Sequence, residues 1–343
     1  MAGLFKMFVK AARPARKRRR RAALLLPGLL GVPAKIPKIR RAAGPANRKT
    51  AAPRPTRPAP GSFISDTFTC PQGELSYRFY TPKGSAGRRM PLVVMLHGCS
   101  QSAADFAAGT DMNRLADEMG VLVLYPQQSP KANIGRCWNW HDPQNQTRGK
   151  GEPAVIAALT RHAISLGRAN PARVYIAGIS AGGTAAAIIG AAYPDLFAAV
   201  GVHSGVPMGN IRSLRSAVSA MRGRPGPRTT AKLPPQLPTI VFHGDNDRVV
   251  HPSNAGGFLA NLERSGPGPL LCHVATGRTA LGREFTRKTY RTQGGRILLE
   301  DWTVHGSGHG WSGGRASGSH TDPAGPDASR EMLRFFLALR RAG

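Results

Sequence analysis

"RVYIAGISAGGTAAAIIGAAYP", Arg173 to Pro194, decides the fold. Its first part is a short apolar run with the look of a buried strand, and its second is a small-residue helix closed by Pro194. Between them stands G-I-S-A-G, a G-x-S-x-G pattern centred on Ser180. The pattern alone is weak in a chain with 41 Gly, and a second match, G-W-S-G-G, runs from Gly310 to Gly314. Context separates the two. Ser180 lies at a strand-to-helix turn, the elbow that exposes a nucleophilic hydroxyl. Gly178 and Gly182 stand where a turn that tight leaves no space for a Cβ. The helix N-terminus behind Ser180 favours developing negative charge. Ser312 lies in a Gly-rich loop with no helix after it and reads as the decoy.

The flanking sequence repeats the same rhythm. "FISDTFTC" and "ELSYRFYTP" flank "PQG" and predict an antiparallel hairpin. "MPLVVMLHG", "VLVLYP", "FAAVGVHSG", "PTIVFHG" and "GGRILLEDWTVHG" predict further strands, most of them apolar throughout, as in a parallel sheet covered on both faces. Helices are expected over "DMNRLADEMG", "EPAVIAALTRHAISLG", Asn254–Arg264 and "ASREMLRFFLALRR". A polar loop carrying Trp138, Trp140 and His141 runs from about residue 127 to 151. Residues 208–237, basic and rich in Pro and Gly, read as an insertion with one short helix near Leu214–Met221. The expected class is α/β, a mostly parallel sheet with helices on both faces.

In such a sheet functional groups gather at the carboxyl ends of the strands. His97-Gly98-Cys99 follow one buried strand, Ser180 the next, Asp245 and Asp247 a later one, and His309 comes after the last. Ser, Asp, His is the chain order of the α/β-hydrolases. A serine hydroxyl needs an imidazole to take its proton and an acid to hold that imidazole. His309, on a loop able to turn back, is favoured over His305, whose direction the strand sets. Asp247 and Asp245 both qualify as the acid on spacing. Two backbone donors are needed for an oxyanion, and they are expected at Ala181 and at Cys99. His97, His203, His243 and His251 read as structural or loop histidines.

Composition divides the chain. Net charge is +30, and residues 1–60 hold 17 Lys or Arg and no acid among scattered Pro and Ala. This region is expected to be disordered. Within it, "RKRRRRAALLLPGLLGVPA" has the basic-then-apolar order of an export signal, and its apolar part, Ala22 to Val32, is too short for a membrane span. The competing reading is a basic arm that touches polyanions or anionic surfaces. Residues 61–343 are expected to form the catalytic domain. Its four cysteines, Cys70, Cys99, Cys137 and Cys272, include no C-x-x-C, which argues against a zinc site.

Five stretches in order, "LHGCSQSAADFA", "RCWNWHDPQNQTRGKGEPA", "VYIAGISAGG", "HGDNDRVV" and "GSGHGWSGG", resemble the poly(3-hydroxybutyrate) depolymerase family of esterases, which also takes in feruloyl and acetylxylan esterases. The resemblance runs from about Phe63 to the last residue. It implies an α/β-hydrolase fold, a Ser-His-Asp triad without metal or cofactor, and an ester substrate. The family's H-G-x-x-D pattern falls on Asp247, its G-x-G-H on His309 and its G-x-S-A-G on Ser180. It also implies a disulfide between Cys99 and Cys137, pinning the tryptophan loop to the turn after the first buried strand. Short-chain hydroxyalkanoate esters are the expected substrates, with feruloyl or acetylxylan esters as the alternative. A non-enzymatic polyanion-binding protein is the reading from a different class. Trp138 and Trp140 are expected either to wall the acyl site or to pack the loop. An exported, extracellular or periplasmic protein is expected.

Overall fold

The sheet is built around strands that are apolar on both faces. A computed structural model describes residues 58–85, 87–209, 211–224, 233 and 235–341, so the export signal and basic arm expected within residues 1–57 lie outside the described residues. Twelve strands are found among these: β1 (Phe63–Cys70), β2 (Gly73–Tyr80), β3 (Leu92–Leu96), β4 (Leu122–Gln127), β5 (Val174–Ile179), β6 (Ala199–His203), β7 (Thr239–Gly244), β8 (Leu270–Arg278), β9 (Glu284–Thr292), β10 (Ile297–Val304), β11 (Trp311–Ser312) and β12 (Thr321–Asp322). Ten of them form one sheet, in the order β1-β2-β4-β3-β5-β6-β7-β10-β9-β8. The inner strands β4, β3, β5, β6, β7 and β10 pair in parallel. The outer strands pair antiparallel at both edges.

Every residue of β3 and β5 is buried, so these strands need cover on both sides. Helices α3 (Gly151–Gly167), α4 (Ala181–Ala192), α5 (Leu214–Met221) and α6 (Ser253–Arg264) supply it on one face. There Ile156, Leu159, Ile188 and Leu262 share a core with Val94, Ile176 and Val241. Helices α1 (Ala103–Thr110), α2 (Met112–Met119) and α7 (Ala328–Leu337) cover the other. Phe106, Leu115, Met332 and Phe336 meet Val93, Tyr175 and Phe242 on that side. Each fully buried side chain of this size contributes roughly 1.5–3 kcal/mol.

Two expectations need enlarging. Helix α1, capped by the Ser102 hydroxyl on the Asp105 N–H, follows the β3 turn where no helix was foreseen. The chain also makes an antiparallel ribbon, β8 with β9, between α6 and β10. Within the expected insertion, α5 forms behind a Ser213 capping box. It is tied to the loop after β7 through the Met221 and Ala220 carbonyls, which accept from His251 N–H and Asn254 Nδ2.

Candidate active site

Ser180 joins β5 to α4 with φ 57° and ψ −123°, a conformation that a non-glycine residue holds only when its surroundings enforce it. The enforcement is visible. A Cβ on Gly178 would lie 2.5 Å from the backbone of Gly182, and a Cβ on Gly182 would lie 2.2 Å from the Leu96 carbonyl oxygen. Only glycine permits β5, α4 and the end of β3 to approach this closely. The Ser180 N–H donates to the His203 carbonyl at 2.8 Å, which fastens the elbow to the end of β6.

The loop after β7 places Asp247 in the interior. His309 Nδ1 lies 2.7 Å from Asp247 Oδ2, while Oδ1 accepts from the N–H groups of Val249 and Val250. The carboxylate side chain is 0% exposed and the imidazole 13%. Burial by itself would raise the Asp247 pKa. Hydrogen bonds from His243 and His309, the charge of His309 and the Val250 N–H outweigh it and hold this carboxyl far below the usual carboxylate range. His243, buried, donates from Nε2 to the Val250 carbonyl at 2.8 Å. Among the described residues His309 Nε2 is unbonded, and so is the Ser180 hydroxyl.

The rival pair is real but separate. His305 Nδ1 lies 2.8 Å from Asp245 Oδ2, and its Nε2 lies 2.9 Å from Thr286 Oγ1. Asp245 Oδ1 accepts from the Gly306 N–H. Both nitrogens of His305 are therefore engaged. Asp245 holds the turn, as short acidic side chains do.

The turn after β3 is laced to the tryptophan loop. Cys99 and Cys137 form a disulfide, with Cα atoms 4.2 Å apart, while Cys70 and Cys272 are free. The Ser100 N–H donates to the Gly135 carbonyl at 2.7 Å. His97 donates from Nδ1 to the Gly98 carbonyl and accepts the Gln128 N–H on Nε2; burial pushes its pKa down to about 4, so it stays neutral. Among the described residues the N–H groups of Cys99 and Ala181 have no acceptor. Ala181 opens α4 directly after Ser180, and Cys99 follows Gly98, where an added Cβ would lie 3.6 Å from the Ile179 carbonyl oxygen.

Comparison with known proteins now bears on this geometry. The Esterase PHB depolymerase family pattern matches residues 75–266. The chain belongs to that family. The chain is 31% identical to poly(3-hydroxyalkanoate) depolymerase C of Paucimonas lemoignei over 72% of its own length and 61% of the relative's. It is 30% identical to a probable acetylxylan esterase A of Neosartorya fischeri, covering 54% of this chain and 53% of that one. It is 34% identical to feruloyl esterase B of Neurospora crassa, covering 34% and 39%. The chain thus spans about two-fifths to three-fifths of the length of these relatives. Acetyl xylan esterase from Aspergillus awamori superposes with a TM-score of 0.60 at 20% identity, over 80% of this chain and 99% of that one, which establishes the α/β-hydrolase fold.

Of the two expectations for Trp138 and Trp140, the structure shows packing of the loop. Trp138 is 1% exposed, packs with its ring tilted against that of His97 and donates its Nε1–H to the His97 carbonyl at 3.0 Å. It packs beneath the turn and does not wall a cleft. Trp140 is also buried, at 7% exposure, and belongs to the same core. What holds the loop beneath them is Glu152, which accepts from Gln128 Nε2, Asn139 Nδ2 and the Asn139 N–H, and whose pKa burial raises against those bonds. The sequence reading missed that network, and it left His203 among the structural histidines with no partner named. The signal for His203 was its place: it ends a buried strand beside the elbow. Ser312, the second G-x-S-x-G serine, is fully buried, its hydroxyl donating to the Pro326 carbonyl at 2.7 Å.

Proposed function

We propose that the chain is a serine esterase in which Ser180, His309 and Asp247 form the catalytic triad. The observation that carries the reading is the buried Asp247–His309 pair at 2.7 Å, with His309 Nε2 left open, together with a serine held at positive φ on the β5–α4 turn. Ser180 Oγ attacks the ester carbonyl carbon while His309 Nε2 takes its proton. Asp247 keeps the other imidazole proton on Nδ1 and stabilises the imidazolium. The Cys99 and Ala181 N–H groups receive the negative charge that gathers on the carbonyl oxygen. His309 then returns its proton to the departing alcohol. Water, activated by the same imidazole, cleaves the acyl-enzyme and regenerates Ser180.

The substrate class is supported by the family and by a relative 31% identical over 72% of this chain, a poly(3-hydroxyalkanoate) depolymerase. Short-chain hydroxyalkanoate esters, as oligomers or polymer, are the preferred substrates, and acetylated xylan or feruloyl esters are the second reading. A panel of hydroxybutyrate oligomers, acetylated xylan and methyl ferulate tests this. The oligomers should give the highest kcat/KM; a higher value for either carbohydrate-linked ester would reverse the order. The Cys99–Cys137 disulfide supports export to an oxidising compartment, and among the described residues no helix is long and apolar enough to cross a membrane. Fractionation of expressing cells should place the protein outside the cytoplasm. The basic arm, residues 1–60, stays a polyanion contact on sequence grounds alone. Its deletion should remove heparin retention and leave ester turnover unchanged.

A further inference from the structure

His203 touches both halves of the site. Its carbonyl accepts the Ser180 N–H at 2.8 Å, and its imidazole Nε2 accepts the Ser312 N–H at 3.0 Å. Ser312 lies three residues after His309. On β11, the Trp311 and Gly313 N–H groups bond toward β12, to the carbonyls of His320 and Asp322. The Ser312 N–H between them points the other way, as alternate groups of a strand must. It leaves the small β11–β12 sheet and meets His203.

The chemistry of that contact is fixed by its donor. A backbone N–H gives a proton, so Nε2 must offer a lone pair, and the ring proton resides on Nδ1. Nδ1 lies 3.2 Å from Ser204 Oγ, which takes that proton as a hydrogen bond. The ring is held flat, stacked on Trp311 at 5.1 Å and Phe242 at 5.9 Å between centroids. Burial, with the neighbouring His243 and His309, pushes its pKa down to about 3, so the acceptor lone pair persists at any pH where the enzyme works.

We propose that His203 is a positioning residue: its neutral Nε2 anchors the loop that carries His309, while its carbonyl holds the Ser180 elbow, so that one residue sets the spacing between nucleophile and base. The proposal rests on the triad reading above. The contact matters because a misplacement of about 1 Å between reacting groups costs on the order of 100-fold in rate. A spacing set through one rigid, stacked ring is better defined than one set through two independent loops.

The test uses three variants of the full chain. His203→Gln carries an oxygen that reaches the Nε2 position and keeps the acceptor. His203→Asn is one carbon shorter and does not reach Ser312. His203→Phe keeps the stack and has no acceptor. Turnover of p-nitrophenyl butyrate is measured per active site, with sites counted by fluorophosphonate titration so that unfolded protein is excluded. His203→Asn and His203→Phe should lose roughly 30- to 100-fold in kcat with KM within about twofold, while His203→Gln stays within about fivefold of the native enzyme. The rate of fluorophosphonate labelling should fall in the same pattern. Where the Phe variant fails to fold, the Gln and Asn pair decides. Native kcat in the Asn variant, an equal fall in the Gln variant, or a loss that appears in KM alone would overturn the anchor. Mass spectrometry of the labelled native protein keeps the two readings apart. A label elsewhere than Ser180 would remove the triad itself; a label on Ser180 with undiminished Asn turnover would remove only the role of His203.

Discussion

Two aspartate–histidine pairs stand at the ends of the same two strands, and they differ in almost everything except their chemistry. Asp245–His305 is about two-fifths exposed on each side chain and closed at both ends, by the Gly306 N–H on the carboxylate and Thr286 on the imidazole. Asp247–His309 is buried and open at Nε2. The first joins β7, β9 and β10 as a clasp. The second keeps its imidazole Nε2 without a partner among the described residues, and its bond to the carboxylate lies in surroundings of low dielectric, where such a bond is strongest. Environment, not residue type, separates the proposed base from the brace.

The largest way to break that comparison is at the imidazoles. His309→Ala should reduce kcat by roughly 10^5-fold, whereas His305→Ala should cost about fivefold at most, the scale of an exposed pair. Steady-state turnover of p-nitrophenyl butyrate checks both, and equal losses would collapse the distinction. The carboxylates come next. Asp247→Asn should cost about 10^4-fold in kcat by stabilising the wrong imidazole tautomer. Asp245→Asn should leave kcat nearly intact and lower stability by about 1 kcal/mol, read from denaturant melts.

Severing the disulfide sharpens the picture at the oxyanion side. Cys137→Ser should lower unfolding stability by about 2–4 kcal/mol and reduce kcat by roughly tenfold, with the Asp247–His309 pair untouched; an unchanged kcat would mean that hydrogen bonds alone hold the Cys99 turn.

The last contrast is in pH. An unfolded histidine takes a proton near pH 6.5, but folded His97 and His203 do so only near about 4 and about 3. Between those values the unfolded chain binds more protons, so stability rises with pH and falls as pH drops from about 6.5 toward 4. Asp247, with its pKa depressed by folding, adds stability that is complete above about pH 4 and is lost only below it. Melts across pH 4–7 should show this slope, and His203→Gln should flatten it by about one proton.

The parallel core was legible because its signals are local. β3 and β5 are apolar at every position, and the helices between strands are bounded by Gly120 and by Pro194. The β8–β9 ribbon left no such trace. Its residues, "LLCHVATGR" and "EFTRKTYRT", are largely exposed or half-buried, so no buried face imposes alternation on them. Helix α1 was hidden by its length: eight residues, about two turns, are too few for a helical period to show.

Within the site the division is similar. The elbow at Ser180 was determined by the chain itself, because a strand, a helix and two glycines within five residues permit only one sharp turn. The order of serine, aspartate and histidine was also written in the chain. Spacing did not say which aspartate is buried against which histidine; only the family resemblance pointed to Asp247 and His309. Asp245 and Asp247 differ by two positions, and only the packing of α5 and the loop after β7 carries one inward and leaves the other at the surface. The same holds for Trp138, placed beneath the turn by a bond to His97, and for His203, which meets Ser312 across 109 residues of chain. Sequence specifies what short-range geometry can enforce; contacts between distant segments exist only once the sheet has brought them together.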